Sequence, residues 1–429
     1  GKAFLFRTLV QLAFALYLAL AIFYKEYRPR WNALTLAILV FVAVAALATI
    51  FGVNPSKSFW SNYERMEGLL AYLHLAAYFF ALGHLFEKRD WLFFFNLFVI
   101  SGIVESGYVF MQKLGYIASP QGGVRVDGTI GNSTYLAAYL IFVLGFSAIL
   151  WLHAKTRGAK VYYGIASALA LASVYFTATR GAILAILIAG FLFACIYLFL
   201  VKTDTPRGKF HRKIGLGILA AVACVPILFL LLRDTAFVQS SPVLSRFRNL
   251  SLDDARAYIW QMSYEGFREN PILGWGPENY GVVFAKYFKP QLYAQEPWFD
   301  RAHNIVFDWL INAGILGLLS YFGIFAAAGY LMWRNYAGGR LSLEVVVALS
   351  LLLVVYVLQN FFVFDNIATY LSFFTVLAYI YNLAVFDDPL SEAGADHQSR
   401  HKHYSATLDA SYLPLAAGAI LLPLIFIFY

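Results

Sequence analysis

Charged residues are scarce in this sequence: only 13% of its 429 residues are Asp, Glu, Lys or Arg, whereas 61% are hydrophobic. In soluble domains about a quarter of all residues are charged and about half are apolar, so the composition excludes a soluble globular protein. Cysteine is also nearly absent, because Cys195 and Cys224 are the only two and both lie inside apolar stretches. We therefore expect neither a disulfide framework nor a cysteine-bound metal cluster.

The charge that is present is mostly basic, with a formal net charge of +8. A nucleic-acid-binding surface would explain such an excess, but the basic residues form short clusters between apolar stretches. Clusters of this kind are typical of cytoplasmic loops in membrane proteins, so we expect no nucleic-acid partner. The aromatic content of 18% suits interfacial belts and a sugar-binding cavity.

Apolar stretches of about 20 residues, the length that crosses a hydrocarbon core about 30 Å thick, recur along the chain. The stretch 161–201 would extend about 60 Å as a single helix, so it must form two spans with a turn at 177–181. The sequence predicts an all-α polytopic membrane protein with about 12 transmembrane helices. They cover residues 4–24, 33–52, 69–86, 91–114, 133–152, 161–201 (two), 214–232, 305–333, 345–363, 367–386 and 413–429.

The loops between these spans alternate in charge. Those that are basic, and are therefore placed in the cytoplasm, are 25–30, 87–90, 153–160, 202–213 and 334–340. We divide the chain into an N-terminal transmembrane bundle (1–232), a large, partly helical periplasmic loop (233–303), the helices that follow it (304–386), a cytoplasmic loop (387–412) and a final helix (413–429). His397, His401 and His403 lie in the loop 387–412, where a solvated segment is favoured over a metal site. This topology puts residue 1 outside, so we expect a further span upstream.

The ionisable residues are concentrated at the outer ends of the spans, with Glu105 the main exception. This distribution favours a reaction at the membrane surface over transport through the membrane. His303 opens a predicted helix whose same face carries Gly314 and Gly317, which would let another helix approach closely and fix the imidazole direction. A histidine titrates near neutral pH, so His303 is a candidate general base. A structural hydrogen-bonding role is the alternative.

Two arginines are candidate anion ligands. Arg180 lies on the side of the membrane where the charge rule disfavours arginine, and the hydroxyls of Thr177 and Thr179 with the following helix N-terminus would suit a phosphate. An interfacial anchor is its alternative role. Arg256 lies on a predicted helix that ends near Glu269 and shares a face with Trp260 and Ser263. Its alternative role is a local ion pair with Asp253.

Two further outer loops, 58–68 and 124–132, place an arginine among aromatic residues, carboxylates or glycines. The first contains Tyr63 and Arg65, and the second contains Arg125. Either loop would suit a phosphate or a sugar. Either would equally suit a loop that closes on itself through ion pairs.

These segments, in this order, resemble the O-antigen ligase superfamily, whose bacterial polytopic enzymes include O-antigen polymerase-like and protein O-oligosaccharyltransferase branches. The matching segments are T-R-G-A (179–182), A-R-A-Y-I-W followed by N-P-I-L-G-W-G (255–276), and H-N-I-V-F-D-W-L-I-N-A-G-I-L-G (303–317). The last is the most specific. In the family the large loop follows the ninth span, whereas here it follows the predicted eighth, which agrees with one further span upstream.

The resemblance implies a GT-C-like glycosyltransferase architecture in the bacterial inner membrane, with its active site facing the periplasm. It implies that His303 activates the acceptor and that Arg180 and Arg256 bind the pyrophosphate of an undecaprenyl-linked glycan. We expect Arg125, Arg65, Asn304, Trp260 and Tyr63 to contact substrate. The family is considered metal-independent, so we expect no metal and no cofactor, and direct displacement would invert the anomeric centre.

The predicted function is therefore transfer of a glycan from undecaprenyl pyrophosphate to an acceptor hydroxyl. The acceptor remains open between lipid A-core, a protein side chain and a growing polysaccharide, and membrane lipids are the remaining partners. A glycolipid flippase is the alternative from a different class, and it would move its substrate without breaking the pyrophosphate linkage. A purely structural scaffold would not explain three separate arginine and histidine motifs on one side of the membrane.

Overall fold

A computed structural model of the chain describes residues 2–63, 65–121, 125–199, 206–241, 243–248, 254–293 and 298–386. The described residues form helices and no strands. The α-helices are α1 (Lys2–Phe23), α2 (Ala33–Ile50), α3 (Pro55–Trp60), α4 (Leu69–Leu85), α5 (Lys88–Lys113), α6 (Ser133–His153), α7 (Arg157–Phe176), α8 (Arg180–Phe199), α9 (Pro206–Leu232), α10 (Ala236–Ser240), α11 (Asp254–Glu269), α12 (Tyr280–Lys286), α13 (Ile305–Ala337), α14 (Leu343–Asn360) and α15 (Ile367–Val385). Short 3-10 helices cover Lys25–Tyr27, Leu244–Phe247 and Pro290–Leu292.

Ten of these helices are long and apolar enough to cross a membrane: α1, α2, α5 to α9, and α13 to α15. The helix α4 is also apolar but has 17 residues, and most of its side chains are buried. The prediction of an all-α polytopic membrane protein is therefore confirmed. The predicted turn at 177–181 is also confirmed, since α7 ends at Phe176 and α8 begins at Arg180. The predicted last span, 413–429, and the loop with its three histidines lie outside the described residues.

Asparagine side chains start many of the helices. Asn32 and Asn366 each accept two backbone N–H groups, and the hydroxyls of Thr35 and Thr369 accept the backbone N–H of their respective caps. Asn132 caps α6 in a similar way, by accepting the N–H groups of Thr134 and Tyr135. The first N–H groups of a helix have no intrahelical partner, so such caps satisfy donors that lipid cannot.

The described chain divides into two compact units, neither of which is continuous in sequence. The first unit contains residues 1–94, 255–342 and 364–429, and in it α2 packs most extensively on α13, while α4 packs on α1 and α15. The second contains residues 95–254 and 343–363, and in it α6 packs on α7, α8 packs on α9, and α14 packs on both α6 and α8. The unit boundary at 254/255 falls inside the predicted loop 233–303. The five-part division made from the sequence stays a prediction.

Candidate active site

His303 lies at the end of the predicted loop 233–303, two residues before α13, and its backbone conformation is unusual. Its φ of +51° lies in the left-handed region, and the next residue, Asn304, caps α13 by accepting the N–H groups of Val306 and Phe307. The rings of Phe299 and Phe364 meet the imidazole edge-on, with centroids 5.4 and 5.1 Å away. A non-glycine residue in this conformation persists only where its surroundings hold it, so the imidazole has a fixed direction.

The helix that follows is broken at Ala313 and Gly314, which have non-helical backbone angles. At the break, the Trp275 N–H donates to the carbonyl of Ile311 at 2.7 Å, and the Ile315 N–H donates to the carbonyl of Pro271 at 2.8 Å. The segment 270–276 thus satisfies backbone groups that the break leaves open. The motifs N-P-I-L-G-W-G and N-A-G-I-L-G, far apart in sequence, bind each other through their backbones.

The expectation that Gly314 and Gly317 admit another helix is wrong. A Cβ on Gly314 would lie 2.3 Å from the carbonyl oxygen of Ile272, so its neighbour is the backbone of the loop. A Cβ on Gly317 would lie 2.4 Å from the Cβ of Ala313, within the same broken helix. A regular helical face was assumed from the spacing, and the break at Gly314, with φ of +63°, removes it.

Arg65 and Asp300 connect the loop before α4 to the segment before α13. Both guanidinium nitrogens Nε and Nη2 donate to the two carboxylate oxygens of Asp300, the latter at 2.8 Å. The guanidinium carbon also lies 4.7 Å from the ring centre of Phe364, the ring that meets His303. Arg65 therefore forms an ion pair with a distant segment, which differs from the alternative of a loop that closes on itself. A substrate-binding role for Arg65 stays a prediction.

Arg301 is the centre of a buried ionic cluster that the sequence reasoning missed. Its guanidinium donates to Glu67 at 2.8 Å, to Glu278 at 2.5 Å and to Asp308 at 2.9 Å. The arginine side chain is 2% exposed and none of the three carboxylates exceeds 5%. The cluster joins the segments before α4, before α12 and in the first turn of α13. The carboxylates in short polar segments of an apolar chain were a signal for such a cluster, but the sequence does not show which of them pair with Arg301.

Burial and charge set the protonation of this region. The pKa of His303 is lowered to about 4, mainly by burial and next by Arg256; Asp300 opposes the shift, while Arg65 and Arg301 contribute to it. The imidazole is therefore neutral at physiological pH, with a positively charged surrounding. Burial raises the pKa of Glu67 to about 8 against the opposing effect of Arg301, with Glu278 adding to the rise.

Arg256 lies on α11, which ends at Glu269 as the sequence predicted. Buried Ile259 and Met262 anchor this helix in a core with Trp275 and Tyr280. The ring of Trp260 lies 6.1 Å from that of Phe307 in the first turns of α13. The helix therefore carries Arg256 and Trp260 on a scaffold built around the 270–276 segment. Asp253, the alternative partner of Arg256, lies outside the described residues.

Arg180 is the first residue of α8 and follows a tight turn in which Ala178 has a φ of +51°. Its Nη1 lies 3.4 Å from the carbonyl oxygen of Arg246. The hydroxyl of Thr177 donates to the carbonyl of Val174 at 2.7 Å, and that of Thr179 donates to the carbonyl of Ser133 at 3.3 Å. These hydroxyls are buried within the protein, so the expectation that they meet an anion is wrong.

Arg125 holds this turn from the preceding loop. Its Nε donates to the carbonyl of Thr177 at 3.1 Å, and its Nη2 donates to the hydroxyls of Thr134 and Thr179, both at 3.2 Å. The described contacts of Arg125 therefore position the turn that begins α8. A substrate-binding role for it stays a prediction.

The three matching motifs lie within or next to the region that a known family model covers. Residues 165–322 match the family described as O-antigen ligase. This match supports the O-antigen ligase superfamily, which the three motifs resemble. The match also supports an O-antigen ligase/polymerase-like membrane glycosyltransferase, and the family in general implies a lipid-linked glycan and an acceptor as partners. No curated protein matches the chain.

The candidate residues of this O-antigen ligase-like protein fall in both units. The first unit contains His303, Arg256, Arg65, Asn304, Trp260 and Tyr63, and the second contains Arg180 and Arg125. Tyr63 is 93% exposed, and Asn304 is buried with its side-chain oxygen occupied by the cap of α13. The assignment of all eight to catalysis or substrate binding stays a prediction.

Proposed function

We propose that the protein transfers a glycan from undecaprenyl pyrophosphate to an acceptor hydroxyl at the periplasmic face of the inner membrane. The observation that carries the proposal is His303: an imidazole of fixed direction, neutral at physiological pH, within the family's most specific motif. A neutral imidazole can accept a proton, whereas a protonated one cannot. His303 is the proposed general base.

The reaction forms one bond and breaks another at the anomeric carbon. The acceptor oxygen attacks that carbon while its proton passes to a nitrogen of His303, and the bond to the pyrophosphate oxygen breaks. The electron pair of this bond leaves with undecaprenyl pyrophosphate, and direct displacement inverts the anomeric configuration. The leaving group gains negative charge, which the guanidinium groups of Arg180 and Arg256 stabilise through charge-assisted hydrogen bonds.

The positive surrounding of His303 fits this division of roles. Arg256 lowers the pKa of the imidazole in the free enzyme. A bound pyrophosphate would offset that positive charge and raise the pKa, so His303 becomes a stronger base once the donor is present. This coupling keeps His303 from being protonated by solvent in the free enzyme and favours proton transfer from the acceptor when the donor is bound.

The test uses the purified protein in lipid nanodiscs with a carrier-linked glycan and candidate acceptors. We expect glycosylated acceptor and released undecaprenyl pyrophosphate in equal amounts. The His303→Ala variant should lose about 10²- to 10⁴-fold in rate, the usual contribution of a general base. His153→Ala is the matched control, because His153 lies at the end of α6 in the second unit, contacts the carbonyl of Ile149 and has no proposed role in the transfer.

Undiminished transfer by His303→Ala would remove the base assignment. Movement of intact glycolipid without release of undecaprenyl pyrophosphate would instead support the flippase alternative. Mass analysis of the product separates glycosylated lipid A-core, modified protein and lengthened polysaccharide.

A further inference from the structure

The second unit contains an apolar cavity away from the turn that begins α8. Its volume is about 750 Å³, and it lies between α6, α7, α8, α9 and α14. Pockets that enclose small molecules have volumes of about 300–1,000 Å³, and packing defects in protein interiors are far smaller. This cavity is therefore large enough for a ligand.

The lining residues place the cavity at the basic end of the second unit. They extend along α6, α8 and α14 as far as the helix ends near Leu152, Tyr197 and Glu344, and include Lys160 on α7 and Phe210 on α9 near the starts of those helices. The sequence at these helix ends contains 153–160 and 202–213, the basic loops predicted to be cytoplasmic. The opposite end of the same helices carries Arg180.

The walls of the cavity belong to helices whose outer surfaces are apolar and exposed. Val161 and Ile165 on α7 are 60% and 55% exposed, and Ile188 and Phe191 on α8 are also exposed. In a membrane protein such surfaces face lipid tails. A ligand that enters from this side comes from the bilayer and is apolar along most of its length.

Polar groups at the mouth indicate the chemistry of the other end of that ligand. The Lys160 ammonium lies 4.9 Å from the ring centre of Trp151, and both residues line the cavity. A tryptophan and a lysine at a helix end are typical of the headgroup region. Lys155 and Arg157 lie in the same segment, and Glu344 is the acidic residue of the wall. Buried Ser147 also lines the cavity, and its hydroxyl has no hydrogen-bond partner among the described residues.

We propose that this cavity binds an anionic phospholipid from the leaflet at the basic end, with its acyl chains between α6, α7 and α8 and its phosphate paired with Lys160. The Ser147 hydroxyl is a donor for an ester carbonyl of the same lipid. The site is separate from the proposed transfer reaction and does not depend on it.

The test measures bound lipid directly. Protein in mild detergent is exchanged into an equimolar mixture of phosphatidylglycerol and phosphatidylcholine, and retained lipid is counted by native mass spectrometry. We expect one tightly held lipid per chain, with phosphatidylglycerol preferred several-fold, as one ion pair at a membrane interface predicts.

Two variants divide the site into its parts. A Cβ on Gly164 would meet no atom within 4 Å, so Gly164→Leu fills the cavity without a clash and should abolish retention of both lipids. Gly158→Leu is the matched control, because it lies on the same helix, is equally open and does not line the cavity. Lys160→Gln should retain one lipid, but the ratio of bound phosphatidylglycerol to phosphatidylcholine should fall to about one. Lys213→Gln, an exposed lysine outside the cavity, should keep both.

Three results would overturn the proposal. The first is retention by Gly164→Leu equal to that of the unmodified protein. The second is the absence of any retained phospholipid from the unmodified protein. The third is displacement of the phospholipid by equimolar undecaprenyl phosphate, which would assign the cavity to a prenyl chain.

Discussion

Each unit contains an arginine that connects separate segments through hydrogen bonds, and the two arginines bond to different kinds of partner. Arg301 in the first unit donates to three buried carboxylates, whereas the described hydrogen bonds of Arg125 in the second unit go to a carbonyl and two hydroxyls. Buried ions repay their desolvation only while all partners are present, but a guanidinium bound to neutral oxygens leaves no buried anion when it is removed. The first cluster should therefore be much more sensitive to substitution.

The difference also bears on how each unit positions its candidate residues. Arg301 lies two residues before His303, and its carboxylates come from three separate segments of the first unit. Arg125 contacts Thr177 and Thr179, next to Arg180, within a single turn. The imidazole direction thus depends on charge pairing, and the start of α8 depends on hydrogen bonds from one arginine to neutral oxygens.

Arg301→Met should give the largest effect. Removal of the guanidinium leaves buried carboxylates without a cation, and such a change costs about 3–5 kcal/mol. We expect a large loss of folded, monodisperse protein and a strongly lowered melting temperature in detergent. Arg340→Met, at an exposed arginine, is the control and should change little.

A double variant sharpens this test. Adding Glu278→Gln to Arg301→Met removes one of the uncompensated carboxylates, so it should recover part of the lost stability. If Arg301→Met alone melts like the unmodified protein, the cluster does not hold the loops before α4 and α13 together.

Gly274→Ala should rank second and can be compared with Gly131→Ala in the other unit. Both glycines have positive φ, +67° and +81°, so each alanine carries a strain of about 1–2 kcal/mol. A Cβ on Gly274 would also lie 2.3 Å from the carbonyl oxygen of Ile311, whereas a Cβ on Gly131 meets no atom within 4 Å. Thermal melts should show a clearly larger loss for Gly274→Ala. Equal losses would mean that the 270–276 segment does not lock into the break of α13.

Arg125→Met should have a smaller effect on stability and a selective effect on the donor. It removes three hydrogen bonds to neutral oxygens, for which we expect a loss of about 1–3 kcal/mol. If Arg180 binds pyrophosphate, a loosened turn should raise the KM for the carrier-linked donor several-fold and leave that for the acceptor unchanged. Arg125→Lys retains the charge without the forked geometry, so its stability and its donor KM should lie between those of the unmodified protein and of Arg125→Met. If the protein is destabilised but the KM for the donor is unchanged, Arg125 stabilises the turn without positioning Arg180 for the donor.

The transmembrane helices were predictable because each needs only a long apolar stretch, and α7 and α8 were separated by length alone. Arg256 on α11 and the end of that helix at Glu269 were also predictable, since Asn270-Pro271 stops a helix. These features depend on residues close together in sequence. The asparagine caps are local too, and Asn32 and Asn366 with a threonine three residues later carry the signal that was overlooked.

The remaining features depend on residues far apart in sequence. The ion pairs of Arg301 join residue 67 to residue 308, and nothing in either segment selects its partner. The break of α13 could not be predicted because N-A-G-I-L-G fits a continuous helix. The donors and acceptors of 270–276 stabilise the break by pairing with the backbone groups that it exposes. Gly314 was noticed for its missing side chain, but its positive φ was the property that mattered.

Per pH unit, the change of stability with pH should be the smallest effect, at most about 1.4 kcal/mol for one group, and its sign differs between two groups of the first unit. Burial lowers the pKa of His303 from its ordinary 6.5 to about 4, so the unfolded chain binds more protons between these values. Stability from this group is complete above pH 6.5 and falls as the pH drops towards 4. Burial raises the pKa of Glu67 from 4.5 to about 8, so its contribution is complete below pH 4.5 and is lost as the pH rises through 8.

Melting temperatures measured from pH 4 to pH 9 for two neutral variants separate these contributions. His303→Gln should flatten the acid side of the profile between pH 4 and 6.5, and Glu67→Gln should flatten the side between pH 4.5 and 8. Each difference is taken against the unmodified protein, so that other titrating groups cancel. An acid side that is unchanged in His303→Gln would mean that the imidazole is solvated and titrates near its ordinary pKa. The lowered pKa on which the coupling to Arg256 and bound pyrophosphate rests would then be absent.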